Sequence, residues 1–303
     1  MNLPLVSVIC VCYNHARYVE EALRSVFNQN YAHIEIIIVD DASTDNSCEK
    51  INALITTHQD VLFIKHKTNV GLCKSFNEAL RLSKGEFVID FSTDDVMEPD
   101  KIRLQIAHFL TLTHDYGVVF TDALYIDTTG APRHRHFENL LRKKIIDAVP
   151  QGDVYTALLS TYIVAAPTMM VRRSVYEVLN GYDEQLSFED FDFWVRSSRL
   201  FKYSFLNLCL MRIRETPKSM STYIGQATDQ QLHDTFRVCV KAKKLNRTDE
   251  EDKALIKRLQ YHVRQTSWLG RKNEAQLFYN MLREMKGVRI YERVLFLLKK
   301  LMV

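Results

Sequence analysis

Three pairs of acidic residues punctuate the chain where apolar segments give way to loops: Asp40 and Asp41, Asp94 and Asp95, and Glu189 and Asp190. The first pair closes IEIIIVDD, an apolar stretch whose β-branched run at 36–39 reads as a buried parallel strand. Its carboxylates then stand at the C-terminal mouth, where open α/β sheets bind ligands. A nucleoside diphosphate sugar asks three things of such a site: recognition of base and ribose, neutralisation of the pyrophosphate, and a base that deprotonates an acceptor hydroxyl. Each pair suits one of them. Asp41 is placed to accept the imide N–H of uracil, a hydrogen bond that discriminates strongly when a site is built around it, with Asp40 supporting the loop. The alternative is that both acids only cap the next helix. Asp94 and Asp95 follow FVIDF and precede a Pro-Asp helix start, which suits a hard divalent cation, Mn2+ or Mg2+, shared by carboxylate and phosphate oxygens. Asp-Asp pairs also occur in plain turns. Asp190 suits a general base acting from the far face of the sugar, with inversion, and Asp95 and Glu189 are candidate diphosphate or acceptor contacts; the alternative for SFEDFDFW, Glu189 and Asp192 above all, is charge complementing a helix N-terminus.

These residues need a scaffold, and the first third of the chain supplies the rhythm of one. Residues 5–11, 34–39, 61–65 and 87–91 read as strands, and 16–28, 47–58 and 71–83 as helices, the alternation of a parallel sheet with crossover helices. A helix follows Pro99, then the strand YGVVFTDALYI. The stretch 127–150 is polar, basic and irregular, and reads as a mobile or acceptor-facing excursion. Residues 154–180 alternate helix, loop and helix, with APTMMVRRS in the loop, and 228–285 is helical and rich in Lys, Arg, Gln and Leu. The expected domains are 1–225 and a helical extension, 226–303.

Composition narrows the classes. Forty basic residues are nearly balanced by 37 acidic ones, so the net charge of +3 gives no footprint for nucleic acid. The six cysteines lack both the dense spacing of a secreted disulfide scaffold and the paired spacing of a zinc site, which points to a reducing cytoplasm. The apolar run near the N-terminus is too short to span a bilayer, and no segment approaches about 18 to 20 apolar residues. No G-x-G-x-x-G follows a strand, which disfavours a dinucleotide oxidoreductase, and an aspartyl phosphatase would want its acids after the first strand.

Five segments in order carry a family resemblance: VSVICVCYN, IIIVDDASTD, NVGLCKSFNEAL with KGEFVIDF, STDDVMEPDKI, and NGYDEQLSFEDFDFW. Over roughly the first 220 residues the chain resembles the family 2 inverting glycosyltransferases of the GT-A fold, of bacterial surface-polysaccharide type. The resemblance implies an α/β fold with a mostly parallel central sheet, flanking helices and a helical extension. It implies Val11, Tyr13 and Asn14 lining the nucleotide, Asp41 meeting the base, Asp94 taking the metal and Asp190 as catalytic base. Lys74 stands where the family often has a basic residue near the nucleotide, or is a solvated helix-face lysine. Two departures matter: Ser92 replaces the first Asp of a D-x-D, and Phe76 replaces a common Arg. Arg214 falls near where many members carry a His approaching the diphosphate or metal; it either neutralises phosphate there or is a surface charge on a variable loop.

The expected reaction is transfer of a hexosyl or N-acetylhexosaminyl unit from a UDP-sugar to a hydroxyl of a lipid-linked O-antigen or capsule intermediate. The rival reading is an inactive glycosyltransferase-like scaffold. In the C-terminal segment Val294, Leu297, Leu298 and Leu301 share a helical face, while Lys286, Arg289, Arg293, Lys299 and Lys300 against Glu292 give a net +4 before the terminal carboxylate. This pattern suits a helix lying on the anionic inner face of a plasma membrane, or packing on the protein's own helices or a second subunit. RHRH at 133–136, with Arg142, Lys143 and Lys144, suits either an acceptor diphosphate or a solvated loop.

Overall fold

The computed structural model describes residues 3–58, 60–216 and 228–301, with side chains to Leu295. The sheet begins as expected. β1 (Val6–Cys12), β2 (Ile34–Asp40), β3 (Leu62–Lys65) and β4 (Phe87–Ser92) are linked by α1 (Val19–Phe27), α2 (Ser47–Ile55) and α3 (Leu72–Leu82). β1 pairs in parallel with both β2 and β4. Alternation along these buried strands splits the apolar side chains between two layers. Val6, Val8, Phe87, Ile89 and Phe91 face α1, α2 and α4, whereas Ile9, Val11 and Val88 face α3 and the later helices.

Beyond β4 come β5 (Val96–Met97), α4 (Lys101–Phe109), β6 (Tyr116–Ile126), β7 (Pro132–Arg135), α5 (His136–Arg142), α6 (Tyr155–Ser160), a 3-10 turn, β8 (Met170–Arg172), α7 (Arg173–Leu179), α8 (Asp190–Ser198) and β9 (Lys202–Arg214). The sheet order is β3-β2-β1-β4-β8-β6-β9-β5, with β7 on β6. The second half is therefore mixed: β8 runs antiparallel to β4 and β6, whereas β9 is parallel to β6.

Two expectations need correction. The stretch 127–150 is not an irregular excursion, because β7 pairs with β6 and α5 buries Phe137 and Leu140, with the Phe137 N–H donating to Asp122 Oδ1 at 3.1 Å. The loop assigned to APTMMVRRS contains β8, which joins the two halves of the sheet.

The chain closes with α9 (Asp229–Leu245), α10 (Asp249–Trp268), α11 (Lys272–Glu284) and α12 (Ile290–Leu301). Thr228 with Gln231 and Thr248 with Glu251 form capping boxes, satisfying the orphan N–H groups at the starts of α9 and α10. Their apolar faces do not form a separate core. Val238, Ala242, Leu255, Leu259 and Phe278 join Leu158, Phe191 and Phe193 in the layer that also holds α3. Among the described residues no helix is long and apolar enough to cross a membrane. All six cysteines are unpaired, and only Cys209 is not buried.

Candidate active site

The register of β1 against β2 sets Cys12 beside Asp40, so the loops leaving both strands emerge together. They are joined by polar contacts. The Asp41 N–H donates to the Cys12 carbonyl, Asn14 N–H to Ser43 Oγ, Thr44 N–H to Asn14 Oδ1, His15 N–H to Ser47 Oγ and Ala16 N–H to Asp45 Oδ2. Asn14 adopts φ 59°, a left-handed conformation that asparagine tolerates better than most residues. Val11 is buried at the end of the strand, Tyr13 is 44% exposed, and Lys74 lies exposed in the first turn of α3.

The two acids of this loop have different surroundings. Asp40 Oδ1 accepts from the Ser43 N–H at 2.9 Å, while its Oδ2 is buried with no hydrogen-bond partner among the described residues. Asp41 Oδ1 accepts from the Val70 N–H at 2.9 Å and contacts His66 Nδ1 at 2.8 Å, and its Oδ2 accepts from the Gly71 N–H at 2.9 Å. A carboxylate has about four acceptor positions, so Asp41 retains one. His66 Nε2 lies 3.0 Å from Glu78 Oε2, so the imidazole bridges two carboxylates. Burial alone would lower the His66 pKa; Asp41 and Glu78 outweigh it and raise it. Sequence reading missed His66, although its spacing from the Asn69-Val70-Gly71 turn was available as a signal.

β4 delivers the second acidic pair, with Ser92 opposite Val11. Ser92 Oγ donates to Asp94 Oδ1 at 2.5 Å, and His15 Nε2 lies 4.0 Å from Asp94 Oδ2 with its Nδ1 2.8 Å from Thr93 Oγ1. Asp95 is buried and accepts the Arg214 N–H at 2.8 Å; burial, with the Asp94 charge adding, pushes its carboxyl well above the usual range. Arg214 itself ends β9 as an interior residue, its side chain 2% exposed. Nε donates to the Asp94 carbonyl at 3.0 Å, Nη1 to the Asp127 carbonyl at 3.2 Å and Nη2 to Glu21 Oε2 at 2.7 Å, with the guanidinium over the Tyr18 ring. This excludes the surface-charge reading of Arg214 and shows it clamping the turn that carries Asp94.

Among the described residues no group of three or more His, Cys, Asp or Glu side chains could enclose a metal. What is present is one partly exposed carboxylate, Asp94, with His15 beside it. That set fits a hard cation of the kind proteins hold through one or two side chains while phosphate and water complete the shell.

The third pair sits at the start of α8. Alternation along β4 sends Asp90 to the same face as Val88, toward α3 and α8, where its Oδ2 accepts from the Tyr182 hydroxyl at 3.0 Å. Burial pushes Asp90 up to about 7 and Asp190 up to about 6; the Phe191 N–H and the charge of Arg258 pull Asp190 the other way. Burial raises Glu189 well above its usual range, with Asp190 and Asp90 adding to the effect, and Glu189 Oε2 is buried without a hydrogen-bond partner among the described residues. Asp192 does not serve as a dipole charge at the surface: it is buried in contact with Arg196 and Lys241. Asp90 was missed because it is embedded in the apolar strand FVIDF.

A cavity of about 430 Å³ lies beside this constellation, lined by Asn77, Arg81, Asp183, Arg196 and Lys241 among others, and shares Tyr182 with it.

The model of the glycosyl transferase family 2 domain matches residues 7–179, more than half of the chain. EpsE of Bacillus subtilis, which carries a glycosyltransferase name, is 31% identical over 197 residues, 64% of this chain and 66% of EpsE. The chondroitin synthase of Pasteurella multocida is 27% identical over 214 residues, 70% of this chain but 21% of the synthase. In structure, Staphylococcus aureus TarS 1–349 in complex with UDP-GlcNAc superposes with a TM-score of 0.67 at 18% identity, covering 96% of this chain and 90% of that one. The mannosyltransferase PcManGT of Pyrobaculum calidifontis, in complex with GDP-Man and Mn2+, gives 0.62 at 19%, covering 97% and 79%. The architecture is the GT-A fold of these neighbours. By the family model and the order of its segments, the chain belongs to glycosyl transferase family 2.

Proposed function

We propose that the protein is an inverting hexosyl- or N-acetylhexosaminyltransferase that moves one sugar from a UDP-sugar to a hydroxyl of a lipid-linked O-antigen or capsule intermediate. Residues 1–225 form its transferase domain and 226–303 its helical extension. The observation that carries this reading is the convergence on β4: Asp94 leaves its end toward the nucleotide loops, while Asp90 faces the helix start bearing Glu189 and Asp190. Donor and base sites thus share one strand.

In this reading Val11, Tyr13 and Asn14 line the nucleotide, Asp41 offers its remaining acceptor position to the base, and Lys74 approaches from α3. Asp94 holds Mn2+ or Mg2+, with His15 at its side and Asp95 and Arg214 fixing the turn. A divalent cation there supplies charge neutralisation for the departing diphosphate. Asp190 takes the acceptor proton, and its elevated pKa of about 6 leaves it ionised yet basic near neutrality. Burial pushes the Glu189 carboxyl well above its usual range, and in its protonated form it can donate a hydrogen bond to the sugar or acceptor.

Two surfaces support the acceptor assignment. Arg133 and Arg135 on β7, with Arg142, Lys143 and Lys144 at the end of α5, are exposed and cationic, which suits a lipid diphosphate. Trp268 is 73%, Ile290 84% and Tyr291 54% exposed, beside exposed Arg289 and Arg293, which suits peripheral contact with the inner face of a plasma membrane. Of the apolar face expected on the terminal helix, Val294 is exposed, while the side chains of Leu297, Leu298 and Leu301, like those of Lys299 and Lys300, lie outside the described residues.

The test is a thermal-shift panel of UDP, GDP, dTDP and CMP with and without Mn2+, followed by release of UDP from a panel of UDP-sugars by wild type and Asp190→Asn. A Mn2+-dependent shift with UDP, and a loss of turnover of about 10²- to 10⁴-fold in the variant with UDP binding kept, is the expected result. A shift with GDP instead overturns the donor, and normal turnover in the variant overturns the base.

A further inference from the structure

The transfer site as drawn so far ends at α8, yet a buried cation from α10 reaches its back wall. Arg258 is 2% exposed, whereas Lys253 and Lys257 of the same helix are exposed. Its Nε donates to the Leu159 carbonyl and its Nη2 to the Leu158 carbonyl, both at 3.0 Å, satisfying groups at the end of α6 that helix geometry leaves without partners. The guanidinium sits in the corner of two rings that meet edge-to-face, 4.0 Å from the centroid of Tyr162 and 4.5 Å from that of Phe191. Phe191 adjoins Asp190 in the chain and is fully buried. A lysine would keep the charge but lose the planar fork and the contact of one flat group with both rings.

Among the described residues no acid pairs with this arginine, which meets two carbonyls and two rings, so its charge remains available to act on what lies nearby. The groups around Asp190 are mostly acidic or neutral: Glu189 on the same turn, Asp90 on β4, Tyr162 on the loop after α6, and Cys73 on α3 beside Glu189 and Asp90. Burial and neighbouring acids both oppose ionisation of a carboxyl there. Arg258 is the cation that acts on Asp190 in the opposite sense.

We infer that Arg258 is a positioning residue for the transfer reaction: from the helical extension it fixes Phe191 and the end of α6 and electrostatically poises Asp190, so the extension completes the active site. The inference rests on the reading of Asp190 as base. It also gives the shared core a consequence, because residues far outside the matched family segment set the chemistry of one within the fold.

The test is a 13C-carboxyl NMR titration of aspartate-labelled protein, with the Asp190 signal identified by its loss in Asp190→Asn, in wild type, Arg258→Met and Arg258→Lys. Removing the charge is expected to raise the Asp190 midpoint by about one pH unit, whereas lysine keeps it within about 0.3 unit while lowering thermal stability. UDP release should then fall about fivefold at pH 6 in Arg258→Met and stay nearly unchanged at pH 8, where a merely structural defect would lower both equally. An unmoved midpoint in Arg258→Met overturns the inference. Should that variant fail to fold, a shifted midpoint in the charge-conserving lysine variant overturns it, and a retained one supports it. Failure of the underlying reading looks different: Asp190→Asn then releases UDP normally whatever the titration of Asp190 in the Arg258 variants.

Discussion

Arg214→Met is the sharpest perturbation of the donor side, because it removes one guanidinium and leaves the apolar volume in place. Two backbone carbonyls, of Asp94 and Asp127, lose their charged donor. An acceptor stranded in the interior costs about 1 to 3 kcal/mol, and the low end applies where water can enter beside the partly exposed Asp94. The ion pair to Glu21 adds little, because the Glu21 side chain is 53% exposed and screened by solvent. The stack over Tyr18 contributes about 1 kcal/mol, part of which the methionine thioether keeps. Together these give a loss of about 3 kcal/mol, which at about 2 °C per kcal/mol for a chain of this size lowers Tm by about 6 °C. Thermal unfolding followed by circular dichroism measures it. The same variant should weaken the Mn2+-dependent part of UDP binding, since the released Asp94 carbonyl no longer fixes the turn. A Tm drop below about 2 °C, or Mn2+-dependent UDP binding equal to wild type, would refute the clamp.

Other perturbations probe different parts of the frame. His66→Gln should destabilise by about 1 to 2 kcal/mol at pH 6; because the folded pKa is raised, the charge-dependent part of that stabilisation is full below about 6.5 and fades as pH rises through the folded value, so the gap to wild type must narrow with rising pH in a Tm series. A gap that is constant with pH removes the charged bridge. Gly181→Ala places a Cβ far inside contact distance of Asn77 Oδ1 at φ 73°, and Asn77 cannot yield because it is bonded to both the N–H and the carbonyl of Tyr182. The expected cost is about 2 to 4 kcal/mol by chemical denaturation, and a variant within about 0.5 kcal/mol of wild type contradicts it. Deleting residues 286–303 should reduce cosedimentation with phosphatidylglycerol vesicles at least severalfold while the Tm of the core moves by only a few degrees; unchanged sedimentation rejects the membrane contact.

The acids at the strand mouths were legible because each follows a β-branched run long enough to declare itself: Asp40 and Asp41 after IEIIIV, Asp94 after FVIDF. What failed were elements with too little local pattern. β8 has three residues, and its strand character comes from being held between β4 and β6 rather than from Met170–Arg172 themselves. β9 is long, but its register against β6 shifts at several points, so its apolar residues do not keep a clean period of two. That concealed Arg214, which reads as a loop charge until the strand carrying it is placed between β5 and β6. Arg258 was hidden differently. In KRLQYHVRQ a buried arginine and its solvated neighbours are the same letter, and only packing against Tyr162 and Phe191 separates them.

The two sides of the site are consequently held by different forces. On the donor side, loops are tied by side chains bonding to backbone N–H groups: Asp41 to Val70 and Gly71, Ser43 and Asn14 to each other's segments, Asp95 to Arg214. Such bonds are directional, and swapping one atom, as in Asp41→Asn, disturbs them without altering packing. The base side is held by ring packing. Tyr176, Tyr182, Phe76 and Phe193 stack among themselves, and Phe191 lies under Arg258. Removing one of these rings leaves a void costing about 3 to 5 kcal/mol, whereas an isosteric change of a polar atom there costs far less. Substitutions in the donor-side loops that conserve shape and change polarity should therefore impair nucleotide binding selectively, and those that change shape near α8 should lower stability and turnover together.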